Sequence, residues 1–369
     1  MDHECLKPKN GATIIIPTSV ISASASRNIC CSNISQNSRV GFSQKVDDQR
    51  HRYYGDSMPF GSEYEAFQNA STLGFFSSTQ ALADYAQLIT DLKRNLSAEN
   101  CPTIAVGGSY GGMLASWFRL KYPHISCGAL ASSAPILYFD DITPQNGYPV
   151  VVTKDFRDTK LKSNLEVLYW VSAQYDNPPD NPVENLCNAI NGAAEGTDIL
   201  GKVAAGLNGS IGPPCHHMFD LKPSNKDGWT WQTCTEMVMP IGNGDNDTMF
   251  QPSPFDLNNF TRTCEGLFGV TPRPHWITTE FGGHEIKSVL GNFASNIIFS
   301  NGLRDPYSAG GVLQNISDTI VAVYTEKGAH CLDLLTPMAS DPDWLVSQRD
   351  TQIKIIQGWI AEYHATRAG

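Results

Sequence analysis

The sequence contains no apolar run long enough to span a bilayer, so a soluble protein with no membrane span is expected. It is also poor in charge: Asp, Glu, Lys and Arg make up 17% of 369 residues, and the balance is acidic, with a formal net charge of −11. A nucleic-acid surface needs the opposite sign, which sets nucleic acid aside as a partner. No block of like charge is long enough to be a tail. The ten cysteines include no C-x-x-C pair, which argues against a zinc or thioredoxin-type site. Cys215-His216-His217 lacks a second ligand group at useful spacing, so no metal is expected there, and the serine chemistry read below needs no metal or organic cofactor.

What is present suits an exported, loop-rich protein. There are 31 Gly and 22 Pro, and seven N-x-S/T sequons, at Asn33, Asn69, Asn95, Asn208, Asn246, Asn259 and Asn315. Sequons at this density, together with ten cysteines, favour the secretory pathway. The N-terminus fits this less well. Lys7 and Lys9 precede a thin apolar run, Ala12 to Ile21, broken by Pro17 and followed by Ala23-Ser24-Ala25. That reads as a marginal signal peptide, more polar than a working one.

Residues 1–40 are rich in Ser, Asn and Cys without a sustained period, and little order is expected there. From Thr79 to Leu96, Leu82, Tyr85, Ala86, Ile89 and Leu92 recur at helical spacing, with Ser78 or Thr79 as N-cap. A strand over Thr103–Val106, a helix to about Tyr122 and a small apolar strand over Cys127–Ser132 follow. That alternation predicts an α/β fold, a parallel sheet flanked by helices. From 141 to 264 the chain is rich in Pro, Asn and Gly and shows helical segments without clear strands, as an inserted, mainly helical cap would. Strand patterns resume at Ile297–Ser300 and Ile320–Tyr324, and a last helix carries Leu345, Ile353, Ile356, Trp359, Ile360 and Tyr363. The sheet domain is therefore assigned to 41–140 and 265–369.

The chemistry centres on Gly107-Gly108-Ser109-Tyr110-Gly111. G-x-S-x-G between a β-branched strand and an apolar helix is the spacing of a nucleophile elbow. There a sharp turn lifts the serine hydroxyl above the sheet and aims the first helical N–H, that of Tyr110, at a forming oxyanion. A serine needs a histidine to take its proton and a carboxylate to fix the histidine's tautomer. The strand Ile297–Ser300 leads to Asp305 and the strand Ile320–Tyr324 leads to His330, the order Ser, Asp, His with each residue in a loop after a strand. Asp333 is a rival acid, read as a support for its own loop. Arg273 and Arg304 are the cations considered for a peptide C-terminus.

Several segments also resemble one family. They are Gly107-Gly-Ser-Tyr-Gly-Gly-Met-Leu-Ala115, Trp117-Phe-Arg-Leu-Lys-Tyr-Pro-His124, His51-Arg-Tyr-Tyr-Gly55, Cys234-Thr-Glu-Met-Val-Met239, Trp276-Ile-Thr-Thr279 and Gly328-Ala-His330. From about residue 50 onward the chain is similar to the lysosomal Pro-X carboxypeptidase and dipeptidyl peptidase II family of serine peptidases. The resemblance implies an α/β-hydrolase-type sheet with a helical cap, exopeptidase cleavage after proline through an acyl-enzyme, and Ser109, Asp305 and His330 as the triad. It implies Met113 and Tyr307 in the proline pocket, and Cys234 paired with Cys264. The expected partners are proline-containing peptides, with a homodimer left open, and the expected location is vacuolar, lysosomal or secreted. Against the family pattern the chain reads as a plant-like, N-terminally shortened member with a shortened cap, in which Cys187 and Cys215 lose their usual partners and either pair with each other or stay free. Cys331 and Leu335 replace a second His and an Arg. A catalytically impaired member, a dipeptidyl peptidase and a general esterase are the alternatives.

Overall fold

The computed structural model describes residues 14–19, 49–54, 57–155, 166–199, 201–202, 204–206, 228–244 and 248–368. Six strands lie in them: β1 (Ile14–Ser19), β2 (Gln49–Arg50), β3 (Thr103–Gly108), β4 (Gly128–Ser132), β5 (Ile297–Gly302) and β6 (Ile320–Thr325). They form one sheet in the order β2-β1-β3-β4-β5-β6, with every neighbouring pair parallel. β3, β4 and β5 are buried along their whole length. Their near-continuous runs of small and β-branched residues are what a strand covered on both faces requires.

Alternation along these strands separates two cores. Ala105, Ala129, Ala131, Ile297 and Phe299 point to a cluster with Trp117, Phe118 and Phe281. Ile104, Val106, Leu130 and Ile298 point the other way, to Leu334 and Trp359. The helix Tyr110–Lys121 covers the first face and is buried from Tyr110 through Arg119. The helix Asp343–Ala368 supplies Trp359 to the second. The helix Ser78–Asn95 buries Ala81, Leu82, Tyr85, Ala86 and Ile89 on the first face, as its spacing predicts. Its N-cap is Ser77, whose side chain accepts from the Gln80 N–H, rather than Ser78 or Thr79.

Within residues 1–40, expected to have little order, Ile14–Ser19 forms β1 and pairs in register with β3, Ile14 opposite Thr103 and Pro17 opposite Val106. The weak apolar run Ala12–Ile21 is thus in part a sheet strand. Its Ile-Ile-Ile core suits a strand, and the period was obscured by the polar residues around it. The rest of 1–40 lies outside the described residues.

Between β4 and β5 the helices Gly147–Asp155, Glu166–Gln174 and Pro182–Asn191 share a separate apolar cluster of Tyr138, Tyr148, Val152, Tyr169, Leu186 and Ile190. Residues 228–239 behave differently. Met237 is fully buried in the sheet-side core, and the Glu236 carboxylate accepts from the Ser78 N–H (2.7 Å) and hydroxyl (2.9 Å). That stretch is therefore bound into the sheet domain, across the boundary drawn from composition. Cys234 and Cys264 are joined by a disulfide. Cys215 lies outside the described residues.

Candidate active site

Ser109 stands at the C-terminal end of β3 with φ 58° and ψ −127°, a left-handed backbone that a residue with a Cβ seldom adopts. Such strain persists only where the surroundings over-determine it. Here the Ser109 N–H donates to the Ser132 carbonyl at the end of β4 (2.9 Å), and the Met113 N–H donates to the Ser109 carbonyl (3.0 Å). The serine is half-buried at the mouth of a strand-to-helix turn. The helix Tyr110–Lys121 begins at the next residue, so its first N–H groups have no acceptor within the helix.

Asp305 and His330 come together at the same edge of the sheet. Asp305 follows β5, His330 follows β6, and Asp305 Oδ2 lies 2.7 Å from His330 Nδ1. Both side chains are buried, at 0% and 3% exposure. The second Asp305 oxygen accepts from the Tyr307 N–H at 3.0 Å. With its oxygens engaged by a backbone N–H and an imidazole, the carboxylate can orient the ring and favour a proton on Nδ1, leaving Nε2 as the base. The elbow and the histidine loop touch. A Cβ added to Gly108 would lie 2.7 Å from Cys331 Sγ, so the residue before Ser109 packs on the residue after His330. The Cys331 N–H also donates to Ser133 Oγ (2.9 Å), beside the Ser132 carbonyl that holds Ser109.

The histidine backbone is fastened by residues from between β4 and β5 to which no sequence signal pointed. The His330 N–H donates to the Gln174 carbonyl (3.0 Å), Asn177 Nδ2 donates to the His330 carbonyl (3.0 Å), and the Ala329 N–H donates to Asn177 Oδ1 (3.0 Å). Asn177 opens an Asn-Pro-Pro loop, which by itself marks only a turn. Arg304 pairs with the buried Asp176, a further tie between this segment and the loop after β5, and Arg273 stacks over Trp276 with its guanidinium 4.1 Å from the ring centre. Asp333 faces away from this pair, accepting from Ser132 Oγ (2.5 Å) and Gln352 Nε2 (2.8 Å).

Aromatic rings line the histidine. Tyr307 and Tyr175 lie 5.6 and 5.7 Å from His330, centroid to centroid, and Tyr307 meets Tyr148 edge-on at 4.9 Å. Burial, with the Asp305 charge beside it, pushes the Tyr307 hydroxyl up to about 12, so it stays neutral. Met113 is buried in the sheet-side core, whereas Tyr307 packs against the cap cluster, so the two expected pocket residues fall in different apolar groups. Of the sequon asparagines, Asn69, Asn95, Asn259 and Asn315 are exposed. Asn33, Asn208 and Asn246 lie outside the described residues. No described helix is long and apolar enough to cross a membrane.

A serine with positive φ at a strand-to-helix turn, whose neighbour Gly108 packs on the residue after His330, on a parallel sheet with a buried Asp–His pair, is an arrangement that a serine hydrolase can use. The comparisons with known proteins carry this further. A model of the serine carboxypeptidase S28 family matches residues 38–170 and 206–352. Lysosomal Pro-X carboxypeptidase of Homo sapiens is 36% identical over 85% of this chain and 74% of its own length. Prolyl carboxy peptidase like protein 5 of Caenorhabditis elegans is 29% identical over 85% and 76%. Thymus-specific serine protease of Mus musculus is 25% identical over 85% and 74%. A solved structure, proline iminopeptidase of Mycobacterium smegmatis, aligns over 84% of this chain and 78% of its own at 10% identity and a TM-score of 0.32, too distant to carry an argument. The chain belongs to the serine carboxypeptidase S28 family, and by that membership it is a serine-type peptidase.

Proposed function

We propose that this peptidase is a Pro-X carboxypeptidase-like exopeptidase that cleaves after proline through an acyl-enzyme, with Ser109, His330 and Asp305 as its triad. In this reading Ser109 Oγ attacks the prolyl carbonyl while His330 Nε2 takes its proton and Asp305 steadies the imidazolium. The Tyr110 N–H donates to the oxyanion. His330 then returns the proton to the departing amine, leaving the prolyl ester on Ser109. Water, deprotonated by the same nitrogen, releases it. The observation that carries the reading is the buried Asp305–His330 pair beside an elbow whose Ser109 holds a positive φ. The aromatic wall of Tyr148, Tyr175 and Tyr307 supports an apolar proline ring as the residue held next to the nucleophile. The relatives named lysosomal support a lysosomal or vacuolar setting.

A fluorophosphonate probe tests the nucleophile. Wild type is expected to label on Ser109 and Ser109→Ala to remain unlabelled with an unchanged circular dichroism spectrum. Labelling that persists in Ser109→Ala, or a folded wild type that never labels, sinks the assignment. Substrate choice is read separately: release of a free amino acid from a blocked Pro-X dipeptide is expected, and release of a dipeptide from an X-Pro amide instead would make the enzyme a dipeptidyl peptidase.

A further inference from the structure

A cluster of metal-ligating side chains, where the sequence predicts no metal, lies outside the Asp305–His330 pair. Asp140, in the loop that leaves β4, has one carboxylate oxygen bonded to His275 Nδ1 and the other 2.6 Å from His284 Nε2. One ligand atom from each residue falls within 4.8 Å of the other two. His275 caps the helix Trp276–Phe281 and His284 lies in the following turn, Gly283–Glu285. Gly282 between them has φ +70°, the left-handed step that ends the helix and turns the chain back, so both imidazoles meet the same carboxylate. Thr278, from within that helix, donates its hydroxyl to Asp140 Oδ2 at 2.6 Å.

We propose that Asp140, His275 and His284 form a binding site for a divalent transition-metal ion of the zinc class. Two neutral imidazole nitrogens and one carboxylate oxygen are the donor set that such ions prefer over the hard cations, which take oxygen alone. Metal–ligand bonds of roughly 2.0–2.2 Å place tetrahedral donors about 3.3 Å apart. The imidazoles need only part slightly from the carboxylate to admit an ion. The burial is also graded as a site of this kind requires. The Asp140 side chain is 8% exposed and braced by Thr278, while His275 and His284 are 72% and 61% exposed. The bracing hydroxyl orients the carboxylate as an outer-shell partner does, and the open side leaves room for water to complete the coordination. An ion bound here would pin the loop after β4 to the helix Trp276–Phe281, whose Phe281 stacks on Trp117 of the elbow helix at 4.1 Å. The function would be structural and independent of the hydrolytic chemistry.

The test uses the full chain, freed of any affinity tag and stripped with EDTA, titrated with zinc chloride by calorimetry and with cobalt(II) by visible absorption. Wild type is expected to take up one ion per chain with a cobalt d–d band, and its melting temperature to rise by several degrees with zinc. His275→Ala and His284→Ala should each weaken binding at least about tenfold. The double variant should lose the band and the zinc-dependent rise. Both histidines are exposed, so these variants keep the fold. Asp140→Asn, which preserves side-chain shape beside Thr278, is the third arm and should also lose the ion. Zinc uptake that is unchanged in the double variant would place the ion on the cysteines and overturn the proposal. So would a stripped wild type that binds neither metal, in which case the two histidines only hydrogen-bond to Asp140.

Discussion

His51, at 0% exposure, sits at the end of a polar chain that runs into the elbow. Its Nδ1 donates to the Arg52 carbonyl at 2.6 Å, which leaves Nε2 to accept from the Tyr110 hydroxyl at 3.2 Å. That hydroxyl accepts from Gln232 Nε2 (2.7 Å), and Gln232 Oε1 accepts from Tyr54 (2.6 Å). Every member is satisfied only while His51 is neutral, and burial lowers its pKa to about 4. Because the folded pKa lies below the unfolded value, the unfolded chain binds the extra proton first as pH falls from 6.5 toward 4. Stability contributed by neutral His51 is present above about pH 6.5 and is lost over that window, by at most about 3 kcal/mol. His51→Gln, which can still donate and accept, should flatten the acid limb of a urea-denaturation series run between pH 7 and pH 4. Identical slopes in variant and wild type would falsify this account. At the buried Asp305–His330 pair of the proposed triad, Asp305→Asn presents an amide where His330 Nδ1–H needs an acceptor. It should lower kcat on a prolyl substrate by about 10³–10⁴ with the fold intact, since Gln174 and Asn177 still hold the His330 backbone. The positions of Ser109, Asp305 and His330 at strand ends were legible because each follows a strand pattern in chain order. The Gln174 and Asn177 clamp was not, since Asn177 lies 153 residues from His330 and its local sequence signals only a turn.

The elbow as an element depends on how closely the helix Tyr110–Lys121 can start beside β4. A Cβ on Gly112 would lie 2.6 Å from the Ser132 carbonyl oxygen, 3.0 Å from Ala134 Cβ and 3.1 Å from the Gly107 carbonyl oxygen. None of these is the end of a flexible side chain, so the helix itself would have to move. Gly112→Ala is expected to cost about 1–3 kcal/mol in urea denaturation and to slow fluorophosphonate labelling, because the Ser132 carbonyl it displaces also fixes the Ser109 N–H. A variant with wild-type stability and labelling rate would show that the turn is slacker than these contacts require. Helices and strands were readable at this scale wherever burial was one-sided or complete. The apolar spacing of Ser78–Asn95 and the short runs at β3, β4 and β5 each announce themselves. The helix Leu257–Phe268 carries the same spacing in Leu257, Phe260, Cys264, Leu267 and Phe268, but the Asn, Thr and Gly residues between them give it the composition of a loop.

For the molecule as a whole, the parallel sheet followed from alternating strand and helix patterns, but the division into sheet and cap did not follow as cleanly from composition. Loop-like composition marks where a chain leaves a sheet and says nothing of where it packs again. Residues 228–239 return to the core through Met237, through Glu236 at the start of the helix Ser78–Asn95, and through Gln232 on Tyr110. The disulfide from Cys234 to Cys264 closes a loop with a sequence separation of 30, and its first cysteine lies between Gln232 and Glu236. Closing a loop of that length removes unfolded-state freedom worth about 3.5 kcal/mol in the chain-entropy account. It also anchors the stretch that holds both the elbow tyrosine and the helix N-terminus. The Cys234→Ser/Cys264→Ser double variant should therefore lose stability by about that amount and melt several degrees lower. If the bond only cross-links a cap, hydrolysis below the melting temperature would be unaffected. If it also secures Gln232 and Glu236, as their contacts imply, kcat should fall before global unfolding begins, visible as activity lost at temperatures where the far-ultraviolet signal is still native. Coincident loss of activity and secondary structure would confine the disulfide to a purely thermodynamic role.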